Sequence, residues 1–277
     1  MSDVLDRFTP ATQDWFRGAF TAPTPAQAGA WEAISAGKHA LVVAPTGSGK
    51  TLSAFLWAID SVFRERADLP EEPKKDGSRT RILYISPLKA LGVDVERNLR
   101  SPLIGIGQSA RRLGLTAPGI TVGVRSGDTT SSDRRKLVSD PPDILITTPE
   151  SLYLMLTSRA GDTLRDVHTV IIDEVHAVAA TKRGAHLAVS LERLDALRRS
   201  HGAETAAQRI GLSATVRPID EVARFLGGAD PVEIVAPPAS KTFELGVVVP
   251  MDDMTNPPPP PGAPPEAPGI DAEYTEV

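Results

Sequence analysis

Two short stretches of this chain carry residues whose types and spacing could do chemistry. The first is Ala44-Pro45-Thr46-Gly47-Ser48-Gly49-Lys50-Thr51. Glycines at 47 and 49 permit backbone angles that turn successive N–H groups inward around a phosphate, and a helix starting near Lys50 would add its positive N-terminal end. Lys50 would then reach the β- and γ-phosphates of a nucleotide, and the Thr51 hydroxyl would bind Mg²⁺. The second stretch is Asp173-Glu174-Val175-His176. A carboxylate at the end of a strand beside a phosphate loop can hold Mg²⁺, which assigns Asp173 to the metal. In-line hydrolysis needs a further carboxylate to orient and deprotonate water, which makes Glu174 the general base.

These groups need strands and helices to hold them. Residues 39–43 form an apolar run that reads as a buried strand, and residues 52–63 place apolar side chains at helical spacing, so the glycine loop lies between strand and helix. Residues 167–172 are nearly continuous in apolar character, as a central parallel strand should be, and end at Asp173. Further strands are expected at 81–86, 120–124, 143–147, 209–212, 232–235 and 243–249. Thr9-Pro10 starts a short helix with Trp15, Phe16 and Phe20 on one side. Thr24-x-x-Gln27 is a capping box opening a second helix that runs to about Ala36. A long helix is expected over 181–199, with Leu187, Leu191, Leu194 and Leu197 as its buried stripe. Another runs over 218–226 and is ended by Gly227-Gly228. The fold class is α/β, a mostly parallel sheet with helices on both faces.

Composition bounds the partners. Hydrophobic residues make up 41% and charged residues 23% of the 277, ordinary for a globular chain of this length. The net charge of −5 is uneven: six acidic and no basic residues lie from Asp252 on, which leaves residues 1–251 at +1. A nearly neutral body with local basic clusters can track a phosphate backbone, but it does not suit a purely electrostatic DNA coat. The absence of cysteine excludes disulfides and thiolate metal sites. The first residues lack the layout of a signal peptide, no apolar run reaches ~18 residues, and the expected setting is the cytoplasm without a membrane partner. Residues 257–268 hold eight prolines, an extended linker with no means of building a core.

The ordered set "PTPAQ", "APTGSGKT", "SPLKAL", "RSGDTT", "TTPESL", "DEVH" and "LSAT" resembles the first motor domain of a superfamily 2 helicase. More narrowly, "DEVHAVAATKRGAHLAVSLERL" and "RIGLSATVRPIDEVARFLGG" are similar to the Lhr (large helicase-related) family of ATP-dependent DNA helicases. The resemblance covers roughly residues 8–250. It implies a RecA-like domain over 1–250, including Q-motif helices at 9–36, and a linker or tail over 251–277. It also implies DNA-dependent ATP hydrolysis with 3′-to-5′ translocation on single-stranded DNA, and unwinding of DNA or RNA–DNA duplexes.

By the same resemblance Gln27 is the Q-motif glutamine that reads adenine, beside its reading as a cap. Thr46, Gly47, Ser48, Gly49, Lys50, Thr51 and His176 line the nucleotide, with His176 linking the γ-phosphate to the Ser213-Ala214-Thr215 segment. Ser213 and Thr215 couple hydrolysis to movement. Pro87, Leu88 and Lys89 resemble motif Ia, and Thr148, Pro149 and Glu150 resemble motif Ib, two grips on a nucleic-acid backbone. Arg125, Gly127 and Thr129 could form a third grip, or an ordinary turn. The basic triplet Arg134-Arg135-Lys136 reads as a solvated helix face. Helicases of this kind carry a second RecA-like domain in cis. No Gln-x-x-Gly-Arg-x-x-Arg run follows Thr215, so the arginine finger is expected from outside this sequence, which has the look of a fragment or truncated product. Two rival readings are a non-catalytic module that binds ATP and nucleic acid, and an RNA helicase domain.

Overall fold

The computed structural model describes residues 3–45, 47–67, 80–214 and 216–238, with side chains throughout except at 89–93. Thr46, Thr215, the strand expected at 243–249 and the proline-rich segment lie outside the described residues. Among the described residues a seven-stranded sheet contains β1 (His39–Val43), β2 (Ile82–Ile85), β3 (Val122–Arg125), β4 (Ile144–Thr147), β5 (Thr169–Ile172), β6 (Gln208–Ser213) and β7 (Val232–Val235). Every paired neighbour is parallel, in the order β3-β4-β2-β5-β6-β1-β7. All residues of β2, β4 and β5 are buried, whereas the two edge strands β3 and β7 are largely half-buried. That is the pattern a parallel sheet covered on both faces demands.

The helices are α1 (Pro10–Ala19), α2 (Pro25–Ser35), α3 (Lys50–Ala67), α4 (Lys89–Arg112), α5 (Ser131–Ser139), α6 (Pro149–Leu156), α7 (His176–Ala179), α8 (Lys182–Ser200) and α9 (Ile219–Gly227). Side chains alternate along each strand, so one sheet feeds two separate cores. Ala40, Val42, Ile82, Tyr84, Ile144, Ile146, Ile171, Ile210 and Leu212 pack against α1 to α4. Leu41, Val43, Leu83, Ile85, Leu145, Val170 and Ile172 pack against α6 to α9. The stripe of Leu187, Leu191 and Leu194 is buried in this second core, with Leu197 partly so. Helix α5 buries none of its residues, as expected of a solvated face carrying the basic triplet.

Two elements differ from expectation in detail. Phe20 falls just after α1, where the backbone is extended, and its ring is 42% exposed. It still meets Phe16 at 4.9 Å between centroids, so the aromatic cluster forms with Phe16 as its buried member. Helix α4 continues through Pro102, a residue that ordinarily argues for a break, and only its start was legible in the sequence.

Because all strands run the same way, their C-terminal ends share one edge of the sheet. The register places Val43 beside Ser213 and Ile85 beside both Ile172 and Thr147. Ligand sites of open α/β sheets lie outside this edge.

Candidate nucleotide site and nucleic-acid interface

The loop after β1 turns through Gly47 at φ 81° and Gly49 at φ 80°, conformations that favour glycine. Gly49 is constrained by space as well, since a Cβ there would lie 2.5 Å from Gln27 Nε2. Lys50 opens α3 and is only 8% exposed, with its Nζ donating to the carbonyl of Ala44. Burial pushes its pKa down, while the charges of Glu174 and Asp173 pull it back up. Thr51 follows in the first turn, half-buried, and the Ser48 hydroxyl is buried without a partner among the described residues. An unpartnered buried hydroxyl, two positive-φ glycines and a buried ammonium make a donor set suited to phosphate oxygens.

The acidic segment stands across from this loop at the end of β5. Asp173 accepts from the backbone N–H of Glu174 at 2.9 Å and from the Tyr84 hydroxyl on neighbouring β2. Tyr84 is fully buried and stacks on Phe55 of α3 at 4.8 Å. Burial, reinforced by the Asp173 charge, drives its hydroxyl far above the usual phenol range, so it stays a proton donor to the carboxylate. Among the described residues no three carboxylate or imidazole groups cluster as a metal cage. Mg²⁺ ordinarily uses one or two carboxylates and completes its shell with phosphates and water, so Asp173 with Thr51 fits that ion.

Glu174 adopts φ 43°, the positive-φ non-glycine position among the described residues. A side chain held in this region signals that its surroundings override local preference. His176 Nδ1 lies 3.4 Å from Glu174 Oε2 and 3.1 Å from Ser213 Oγ. The end of β6 clasps both loops, with Ala44 N–H donating to the Ser213 carbonyl at 3.2 Å and Val175 N–H to the Leu212 carbonyl at 3.0 Å. Ser213 therefore touches the acidic segment.

Gln27 is buried, and its amide is engaged at both ends. Oε1 accepts from Thr24 N–H at 3.0 Å, closing the capping box, and Nε2 donates to the Gly49 carbonyl at 3.5 Å. Thr24 Oγ1 donates to the Ser48 carbonyl at 3.0 Å. The cap thus also fastens α2 to the phosphate loop.

The remaining sequence candidates follow β2, β3 and β4, which are adjacent in the sheet. Leu88 is exposed and precedes α4, after Pro87; Lys89 is the first helical residue, and its side chain lies outside those described. Thr148 caps α6 through its hydroxyl, 3.4 Å from Ser151 N, with Pro149 in the first turn. After β3, Arg134 donates to the Gly127 carbonyl at 2.9 Å, and the Thr129 hydroxyl accepts from Ser126 N–H at 2.9 Å. Arg125 keeps one buried nitrogen without a partner among the described residues, and burial, then the nearby Arg134 charge, lowers its pKa. The edge is thus divided: phosphate loop, acidic segment and Ser213 lie on β1, β5 and β6, and the three turns lie on β2, β3 and β4.

Sequence reasoning missed Tyr84 and Arg183. Arg183 on α8 donates from Nη1 to the Pro87 carbonyl at 2.6 Å and grips Glu150 with Nε and Nη2, the latter at 3.0 Å. In the sequence it is one more arginine at the start of a helix. Its hydrogen bond is the main cause that holds the Glu150 carboxyl down to about 2, from an ordinary 4.5. A depressed carboxyl contributes stability above its unfolded pKa and loses it as pH falls through the folded one. Glu150→Gln is therefore expected to flatten the decline of thermal midpoint between pH about 4.5 and about 2. The change is modest, because the pair is partly exposed. An acid limb of unchanged steepness would remove the pair from the stability balance.

One edge of a parallel sheet thus carries the glycine loop after β1, the Asp-Glu-Val-His segment after β5 and three turns after β2, β3 and β4. The DEAD/DEAH box helicase family model matches residues 24–223, and the chain belongs to that family. Within it the likeness is to the Lhr helicases. The chain is 65% identical, over 92% of its length, to the "Lhr helicase/ probable uracil glycosylase" of Mycolicibacterium smegmatis. It is 59% identical, over 91%, to the "Lhr helicase/uracil glycosylase" of Escherichia coli. It spans 16% of the length of each of these relatives. A solved structure of Mycobacterium smegmatis helicase Lhr bound to ssDNA and AMP-PNP superposes with a TM-score of 0.80 at 64% identity, covering 92% of this chain and 31% of that one. The fold is accordingly RecA-like, as the motifs implied. No described helix is long and apolar enough to cross a membrane.

Proposed function

We propose that this chain is the ATP-binding motor domain of an Lhr-type helicase, coupling Mg-ATP hydrolysis to 3′-to-5′ movement on single-stranded DNA and to duplex unwinding. The carrying observation is the divided edge of the sheet, which gathers one set of loops for phosphates and catalysis and another for a strand. That a structural relative of 64% identity is bound to ssDNA and AMP-PNP supports the two kinds of ligand in this reading.

In this reading Gly47, Ser48, Gly49 and Lys50 hold the triphosphate, and Thr51 and Asp173 hold Mg²⁺. The ion would neutralise charge between the β- and γ-phosphates. Tyr84 keeps one oxygen of Asp173 oriented. Glu174 accepts a proton from the attacking water, and His176 relays the position of that carboxylate to Ser213 and, through it, to β6. Gln27 holds the loop to α2, and for it to read adenine its amide would have to leave the Thr24 and Gly49 contacts. The turns at Pro87–Lys89, Arg125–Thr129 and Thr148–Glu150 bind phosphates without reading bases. An arginine from a second RecA-like domain completes the site.

The test is steady-state ATP hydrolysis by the 277-residue chain with and without oligo(dT), using Lys50→Ala as the blank. The expected result is nucleotide binding that Lys50→Ala abolishes, with turnover that rises when oligo(dT) and the second motor domain are supplied. Equal nucleotide affinity in both proteins would refute the site.

A further inference from the structure

Arg183 of α8 binds two turns of the β2-β4 half of the edge, and its helix follows directly on the acidic segment and α7. Resting on the functional reading above, we infer that it is a positioning residue that sets the spacing of the two backbone grips according to the state of the nucleotide site. On one side its three guanidinium nitrogens tie together turns far apart in sequence, Pro87 after β2 and Glu150 after β4. A fork on a carboxylate combined with a carbonyl contact fixes both distance and orientation, unlike an ordinary surface ion pair.

On the other side Arg183 is joined to the acidic segment by a short, tightly packed path. Helix α7 starts at His176 itself. The Thr181 hydroxyl donates to the Val178 carbonyl at 2.8 Å and accepts from Gly184 N–H at 3.1 Å, so one side chain ends α7 and caps α8. A Cβ at Gly184 would lie 2.0 Å from the Val178 carbonyl oxygen, which leaves no slack between the two helices. Helix α6, which starts at the Thr148–Glu150 turn, is also held to α8. Tyr153 meets His186 edge-on at 4.6 Å, and the Arg193 guanidinium lies 5.7 Å over the Tyr153 ring. A shift of Glu174 and His176 on nucleotide binding is therefore carried by α7 into α8, and by Arg183 into both turns.

The experiment measures oligo(dT) affinity of the full chain by fluorescence anisotropy, with and without Mg-AMP-PNP, and separately the affinity for a fluorescent ATP analogue. For Arg183→Ala the expected result is about fivefold or greater loss of oligo(dT) affinity, disappearance of the AMP-PNP effect on it, and unchanged nucleotide affinity. Arg183→Lys keeps the charge but cannot make the fork and the carbonyl contact together, so it is expected to behave like alanine. Restoration by lysine would overturn the inference, as would parallel loss of nucleotide and oligo(dT) binding with a lowered thermal midpoint, the mark of a merely structural role. Failure of the wild-type chain to bind oligo(dT) at all would instead refute the interface reading, and this inference with it.

Discussion

Glu174→Gln is expected to lower ATP turnover by ~10²–10⁴-fold while leaving nucleotide affinity unchanged. The amide has the shape of the carboxylate but cannot take a proton from water at neutral pH. The strained backbone at φ 43° and the neighbouring His176, 3.4 Å away, hold this side chain in place whichever group it carries. The substitution therefore removes chemistry and leaves the site's architecture. Single-turnover hydrolysis in the presence of the second motor domain, set beside equilibrium binding of a fluorescent nucleotide, separates the two effects. Turnover within about threefold of wild type would fall far short of a general base's contribution and remove Glu174 from that role. Asp173→Asn is a less clean probe, because Asp173 also accepts from Tyr84.

The second large effect is on stability and lies in the second core, among buried charges. Asp195 on α8 is 2% exposed and accepts from Arg209 Nη2 at 2.7 Å, Arg198 Nη1 at 3.3 Å and the Ala207 N–H at 2.8 Å. Burial works against the charge of Arg209, but hydrogen bonds and charge from Glu192 and Asp195 outweigh it and raise its pKa. Asp195→Ala would leave Arg209 with the more exposed Glu192 as its carboxylate partner, and Arg198 without a carboxylate among the described residues. Breaking a buried pair from one side costs about 3–5 kcal/mol, a large share of the stability of a domain this size. Urea unfolding monitored by far-UV circular dichroism measures it, and a loss below about 1 kcal/mol would show that solvent reaches the site and compensates.

Much of the sheet was legible because parallel strands between two helical layers are nearly unbroken apolar runs. Residues 39–43 and 232–235 coincide with β1 and β7, and the other described strands lie within a residue or two of expectation. The loop at 44–51 and the segment at 173–176 stood out as candidates for a different reason, since few residue types suit phosphate and Mg²⁺. What stayed hidden depended on pairing order and on contacts distant in sequence. Tyr84 reads as one more apolar strand residue until β5 is known to lie beside β2. Arg183 reads as a solvated helix charge until the turns at Pro87 and Glu150 are brought within its reach. The network of Asp195, Arg198 and Arg209 gave no signal, because a charge destined for burial looks like any other in a linear chain. The helix through Pro102 was hidden because a missing N–H argues locally for a break that the surrounding packing tolerates.

The strand order also has a consequence for how the chain is made. The strand bearing the phosphate loop pairs with β6 at 208–213 and β7 at 232–235, and with neither β2 nor β4. As the chain leaves the ribosome, residues 39–43 emerge early and have no native strand beside them until nearly the whole domain has been synthesised. The β3-β4-β2 sector, by contrast, is complete once Thr147 is out. The β3-β4-β2 sector can thus assemble first, and β1 is paired last through contacts of long sequence separation, the slow and aggregation-exposed class. On the proposed reading, nucleotide would touch the loops after β1 and β5, which β6 joins in the sheet, and so would stabilise only the finished form.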